Sequence, residues 1–135
     1  MSMHADKAIV SRLTYMDQDI LNLILLGKVK FIDAKYNTQF SLNYELKKSF
    51  VCPINDETVL IHYVGPTKPW HYWAGYPSAQ PFIKAKEASP WKNEPLMRPV
   101  NSNYARYCAK HNFKQNKPIN GIMNYIYYFY LKIIK

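Results

Sequence analysis

Two stretches of this 135-residue chain read as β-strands, and two strands do not make an α/β sheet that stands by itself. "KVKFIDAKYN", from Lys28 to Asn37, alternates in the period-2 manner of a strand. "TVLIHYV", from Thr58 to Val64, is a short apolar run of the kind that is buried. Between them "TQFSLNYELKKSFVCPINDE" has no period and reads as loop, with "PINDE" as a turn. Helical periods account for much of the rest. Ile9, Leu13, Met16, Ile20, Leu23 and Leu26 fall at three- and four-residue steps, and Gly27 is a natural stop. Asp17 offers another start, capping a fresh helix over "QDILNLILLG" with Thr14 and Tyr15 in a turn before it. The two-piece reading is preferred, because "LTYM" is β-branched and aromatic. A short helix is expected over about residues 79–88, opened by Ser78 and closed before Pro90. "KNEPLMRPVN" is a proline-punctuated linker, and "SNYARYCAKHNFKQ" is helical with Tyr104, Tyr107, Cys108 and His111 on one side. "KPIN" breaks that helix, and "GIMNYIYYFYLKIIK" is a final aromatic helix or strand. The expected class is α/β, with few strands, several helices and a mostly helical C-terminal tail. The chain reads as the second half of a larger fold.

A hydrophobic share of 48% with 16% aromatics is enough for a core, so composition does not predict disorder. The formal charge of +9 is unevenly placed: the acidic residues all lie at or before Glu94. Beyond it Arg98, Arg106, Lys110, Lys114, Lys117, Lys132 and Lys135 are unopposed, which points to an anionic partner. A phospholipid surface and a phosphorylated glycolipid both qualify. No RNA- or DNA-binding motif is present, so nucleic acid is not expected. Cys52 and Cys108 have neither metal-pair spacing nor the density of a disulfide scaffold, which suggests reduced thiols in the cytoplasm. The opening residues lack signal-peptide character, and the longest apolar runs are too short to span a bilayer.

Two constellations could carry chemistry. In "YMDQDILN", Asp17 and Asp19 either complement the positive end of a helix or, with Gln18, present hydrogen-bonding groups to a hydroxyl-rich substrate such as a sugar. In "IHYVGPTKPWHYW", His62 stands at the end of a strand, Gly65 lets backbone N–H groups approach an anion, and Lys68 supplies a point charge. Pro66 and Pro69 stiffen the loop between strand and aromatics. A neutral imidazole can hold a divalent cation that bridges phosphates, so the set reads as a diphosphate clamp. Trp70, His71, Tyr72 and Trp73 are open to two readings, a wall for a sugar ring or core.

"YMDQDILN", Tyr36-Asn37, "IHYVGPTKPWHYW", "YPSAQPFIKAKEASPWKNEP" and "NSNYARYCAKHNFKQ" together resemble the C-terminal half of the family-8 retaining glycosyltransferases. Within that family they resemble the lipopolysaccharide core 1,3-glucosyl- and 1,3-galactosyltransferases of Gram-negative bacteria. The resemblance implies the GT-A fold of nucleotide-sugar transferases, with residues 1–94 as the C-terminal part of the catalytic domain. Residues 95–135 would be a basic aromatic tail that associates with membrane or acceptor. It further implies a UDP-glucose or UDP-galactose donor, a lipopolysaccharide core acceptor, retention of configuration and a Mn²⁺ or Mg²⁺ ion. By the same resemblance His62 is a metal ligand, and Gly65 and Lys68 contact the phosphates. Asp17 would hold donor-hexose hydroxyls, Gln18 would lie near the anomeric carbon, and Tyr15, Met16 and Val64 would border the acceptor. Nothing here matches the family's Asp-x-Asp metal motif, so the chain resembles a fragment and is expected to be inactive alone. The expected location is cytoplasmic, peripheral on the inner face of the inner membrane. The last helix would lie in the headgroup layer or else close the core, and Arg106, Lys110, Lys114 and Lys117 would form a basic stripe on a helix. An uncovered strand edge would favour a homo-oligomer. The alternative function is a non-catalytic basic module for anionic lipid or glycolipid.

Overall fold

The computed structural model describes residues 14–134. The expected helical pattern from Ala5 through Leu13 lies outside them. The chain divides into two compact units, one ending at Ile32 and one beginning at Asp33.

In the first unit Thr14 and Tyr15 form a bend and α1 runs over Met16–Ile24. Asp17 is not the cap. Tyr15 occupies that position, Asp17 sits in the first turn, and no side chain caps from it. The capping work passes to Asp19, whose carboxylate reaches back to accept from the backbone N–H of Thr14 and of Tyr15, each at 2.9 Å. Gly27 ends the helical region with φ +74°, a conformation that favours glycine.

The strand expected over Lys28–Asn37 does not form. Phe31 and Ile32 are exposed, and Asp33 Oδ1 accepts from Lys35 N–H at 2.9 Å to open a 3₁₀ turn over Ala34–Asn37. Local aspartate turn chemistry overrides the alternating pattern.

The second unit is built on β1, Thr38–Phe40, and β2, Ile61–Tyr63, paired in parallel with Gln39 opposite His62. β1 falls inside the stretch that reads as loop. β2 is shorter than its apolar run and only half-buried, with His62 exposed, so it is not a fully buried strand. Three-residue strands depend on their partner rather than on local pattern, which is why neither boundary shows in the sequence. After β1 a 3₁₀ turn spans Leu42–Leu46. Phe40, Leu42, Ala74, Tyr76 and Ala79 form a small core with Ile54 and Tyr63 packed on it.

α2 spans Gln80–Glu87, with Pro81 in its first turn where a missing N–H costs nothing. Ser78 does not cap it. Its hydroxyl instead donates to Glu45 Oε1 at 2.5 Å. α3, Ser102–Lys114, is capped by Asn101 Oδ1, which accepts from Tyr104 N–H at 2.9 Å. Its buried face is Ala105, Cys108, Ala109, His111 and Asn112. Asn116, at φ +58°, turns the chain into α4, Pro118–Ile133, with Pro118 starting the new helix. α4 packs on α3 so closely that a Cβ on Gly121 would come within 2.6 Å of the Phe113 ring. Its other side leaves Ile119, Ile122, Met123, Ile126, Phe129 and Ile133 exposed. The segment after Glu94 belongs to the same unit as the strands: Gln115 Nε2 donates to the Trp73 carbonyl at 2.7 Å. Among the described residues no helix is long and apolar enough to cross a membrane. The architecture is mixed, helices around few strands, as the sequence implies.

Candidate functional site

β2 carries His62 to the rim of a cleft of about 770 Å³, and the loop that follows returns Lys68 to the same cleft. The pleat is the reason His62 faces out. Its neighbours Ile61 and Tyr63 are half-buried, and alternate side chains point to opposite faces. The imidazole is oriented by Asn37, the last residue of the 3₁₀ turn, with Nδ1 3.2 Å from Asn37 Oδ1. Since that oxygen only accepts, the neutral ring carries its proton on Nδ1 in this contact and has Nε2 free to ligate. This is the arrangement by which a second residue fixes the tautomer of a ligating histidine. Trp70 and Phe82 line the same cleft.

Lys68 is held at both ends. Its ammonium donates to the Tyr63 carbonyl at 2.6 Å, and its backbone N–H donates to His71 Nδ1 at 3.1 Å. Gly65 has φ +82°, and a Cβ there would lie 2.8 Å from Ser41 Oγ, so both conformation and space require glycine. Gly65 and Val64 belong to the same loop but are not among the residues that line the cleft.

Between Gly65 and Lys68 stands Thr67, fully buried, with its hydroxyl 3.1 Å from Nε2 of His111 on α3. The same Nε2 lies 3.1 Å from Asn43 Oδ1, and Nδ1 lies 2.7 Å from the Tyr76 hydroxyl. One buried ring thus ties the clamp loop to α3, to the turn after β1 and to the core. The sequence marks His111 only as one residue on a helix face. Its partners, at separations of 35 to 68 residues, leave no local signal. Burial, with the charges of His71 and Lys110, pushes the His111 pKa down to about 4. His71 is likewise lowered to about 4, by burial first and then by Lys68. Both rings are neutral at pH 7.

The two readings of Trp70–Trp73 divide by residue. His71 and Trp73 are core, stacked at 4.2 Å between centroids, whereas Trp70 and Tyr72 are exposed and line hollows. Tyr72 lines a separate groove of about 750 Å³ against α4, with Arg98 and Asn124.

Tyr15, Met16, Asp17 and Gln18 belong to the first unit. Tyr15, Asp17 and Gln18 are exposed at the start of α1. Among the described residues no group of three His, Cys, Asp or Glu could hold a metal ion. Among the described residues His62, its ring oriented by Asn37, is a donor that fits a ligand of a metal centre.

The chain belongs to glycosyl transferase family 8. The model described as "Glycosyl transferase family 8" matches residues 1–74, and "Glycosyl transferase family 8 C-terminal" matches residues 76–132. It is 55% identical, over 93% of its length, to the lipopolysaccharide glucosyltransferase WaaO of Escherichia coli K12. It is 52% identical, over 96% of its length, to the lipopolysaccharide 1,3-galactosyltransferase of Salmonella typhimurium. A lipopolysaccharide 1,2-glucosyltransferase of Escherichia coli is 39% identical over 95% of the chain. The chain spans 37%, 39% and 39% of these three relatives. No solved structure matches it.

Proposed function

We propose that this chain supplies the phosphate-binding side of a hexosyltransferase that moves glucose or galactose from a UDP-sugar to the lipopolysaccharide core with retention. The observation that carries this is the pairing of His62 and Lys68 on one cleft, in a chain similar to lipopolysaccharide hexosyltransferases. The fold of the whole enzyme is GT-A. The Lys68 ammonium, now resting on a backbone carbonyl, exchanges that partner for the diphosphate and offsets charge on the departing UDP. Gly65 brings backbone N–H groups near the same phosphates. Asp17 holds hydroxyls of the donor hexose and Gln18 lies by its anomeric carbon, while Tyr15, Met16 and Val64 border the acceptor. Among the described residues His62 is the ligand offered to the divalent ion, Mn²⁺ or Mg²⁺. No step is assigned to that ion, because the described residues do not complete its site. The enzyme works in the cytoplasm on the inner face of the inner membrane, with the exposed apolar side of α4 in the headgroup layer. Its uncovered apolar surface also suits a homo-oligomer.

The test is a chimera in which this chain replaces the matching segment of the Escherichia coli relative, assayed for hexose transfer from each UDP-sugar. Transfer is expected, with His62→Ala costing about 100-fold or more, roughly 2.7 kcal/mol of barrier. Lys68→Ala is expected to cost about 10-fold to 100-fold. A His62→Ala rate within about twofold of the parent would remove the ligand assignment.

A further inference from the structure

The His62–Lys68 cleft does not end at Trp70. A second hollow of about 450 Å³ continues from it, lined by Trp70, Phe82, Ala85, Lys86, Ser89 and Trp91, the first three shared by both. Trp70 is 43% exposed and Trp91 67% exposed, although burying a large aromatic is among the strongest gains a small core can make. The segment carrying Trp91 is nonetheless fixed. Lys86 Nζ donates to the carbonyls of Trp91 and Lys92 at 2.8 and 3.0 Å, and Ser89 Oγ accepts from Trp91 N–H at 3.2 Å. The single cation of the hollow is therefore engaged with backbone, and what remains is two indoles and a phenyl ring, with Trp70 and Phe82 at 6.0 Å between centroids.

We infer that this aromatic shelf binds a neutral pyranose ring of the acceptor oligosaccharide, a subsite that rests on reading the adjoining cleft as the diphosphate end. The chemistry divides along the groove. Charge is recognised at Lys68, and the shelf, with its cation occupied, suits an uncharged ligand. A pyranose offers a C–H face that packs flat on an indole and an edge of hydroxyls left to water, matching a half-exposed tryptophan. Continuity with the cleft selects the sugar over an acyl chain. The ring on the shelf is joined to the groove where transfer occurs, whereas the apolar side of α4 already offers a surface for lipid.

The three tryptophans make the test internal. Trp73 is 1% exposed and serves as the control in a chain labelled with ¹⁵N at its indoles. Titration with lipid-free, deacylated core oligosaccharide is expected to move the Trp70 and Trp91 signals together and saturably while Trp73 stays still. Trp91→Ala, a change at an exposed site, is expected to weaken the Trp70 response by about fivefold or more. An oligosaccharide that leaves Trp91 unmoved, or that moves Trp70 with the same affinity in Trp91→Ala, overturns the shelf. UDP titrated separately and followed at Lys68 reports the cleft, so either reading can fail without the other.

Discussion

His111 serves three partners with one ring, and its chemistry sets two expectations at the scale of single residues. The Asn43 oxygen accepts from Nε2–H while the Tyr76 hydroxyl donates to Nδ1, leaving Thr67 to share the Nε2 side. His111→Phe keeps an aromatic ring but strands the buried Thr67 and Tyr76 hydroxyls and the half-buried Asn43. It should cost about 2–4 kcal/mol in denaturant unfolding and speed amide exchange across Gly65–Lys68. A loss below about 0.5 kcal/mol would show that the ring does not pin the loop. The second expectation concerns pH. His71 and His111 have folded pKa values near 4 against 6.5 when unfolded, so the unfolded chain binds protons first. Their contribution is complete above pH 6.5, falls as pH drops from 6.5 to 4, and is gone below that. For His111 it is on the order of 3 kcal/mol. Melting temperature measured across that window should drop, and His111→Phe should flatten the slope. At this scale the sequence displayed His62 and Lys68, the two residues of this loop region that line the cleft, because they lie within one short stretch. It hid the residues that hold them, because Asn37, Asn43 and His111 come from other elements.

Elements were legible in proportion to how local their causes are. α2 and α3 follow from helical pattern and from their flanking Asn and Pro residues, whereas the last segment, read as helix or strand from Gly121, is a helix that already begins at Pro118 within the expected break. The strands were missed or misplaced because three-residue pairs are fixed by long-range register. α4 is the element with a prediction of its own. Its exposed apolar side suits a headgroup layer, but the basic stripe on α3 is partly occupied. Lys110 is exposed, Lys114 donates to the Lys47 carbonyl at 2.9 Å, and Arg106 is half-buried over the Tyr107 ring. Each free lysine adds about 1 kcal/mol at an anionic surface, so affinity should be modest and salt-sensitive. In liposome co-sedimentation the chain should bind anionic vesicles, release with salt, and lose binding when Ile122 and Ile126 become glutamate. Equal recovery on neutral vesicles would defeat the electrostatic part, and no binding at all would leave α4 without a membrane role.

At the scale of the whole molecule, the charge asymmetry and the shortage of strands said most. The strand-poor pattern reappears as a two-stranded sheet among the described residues, and the family's motifs cover nearly the whole chain. The chain divides into compact units between Ile32 and Asp33, and the helices beyond Glu94 fall in the unit that holds the strands. Tyr72, with Cys108 Sγ at 3.0 Å and Asn124 Nδ2 at 3.3 Å from its hydroxyl, makes that join through contacts no local pattern encodes. The central claim is that the His62–Lys68 cleft receives a nucleotide diphosphate. The most direct measurement is a UDP titration of the isotopically labelled chain, followed at the His62 ring and the Lys68 side chain. The account predicts saturable shifts at both with a dissociation constant of about a millimolar, weakened about tenfold by Lys68→Ala. UDP that leaves both signals unmoved at about 10 mM, or that binds Lys68→Ala as well as the parent, would contradict it.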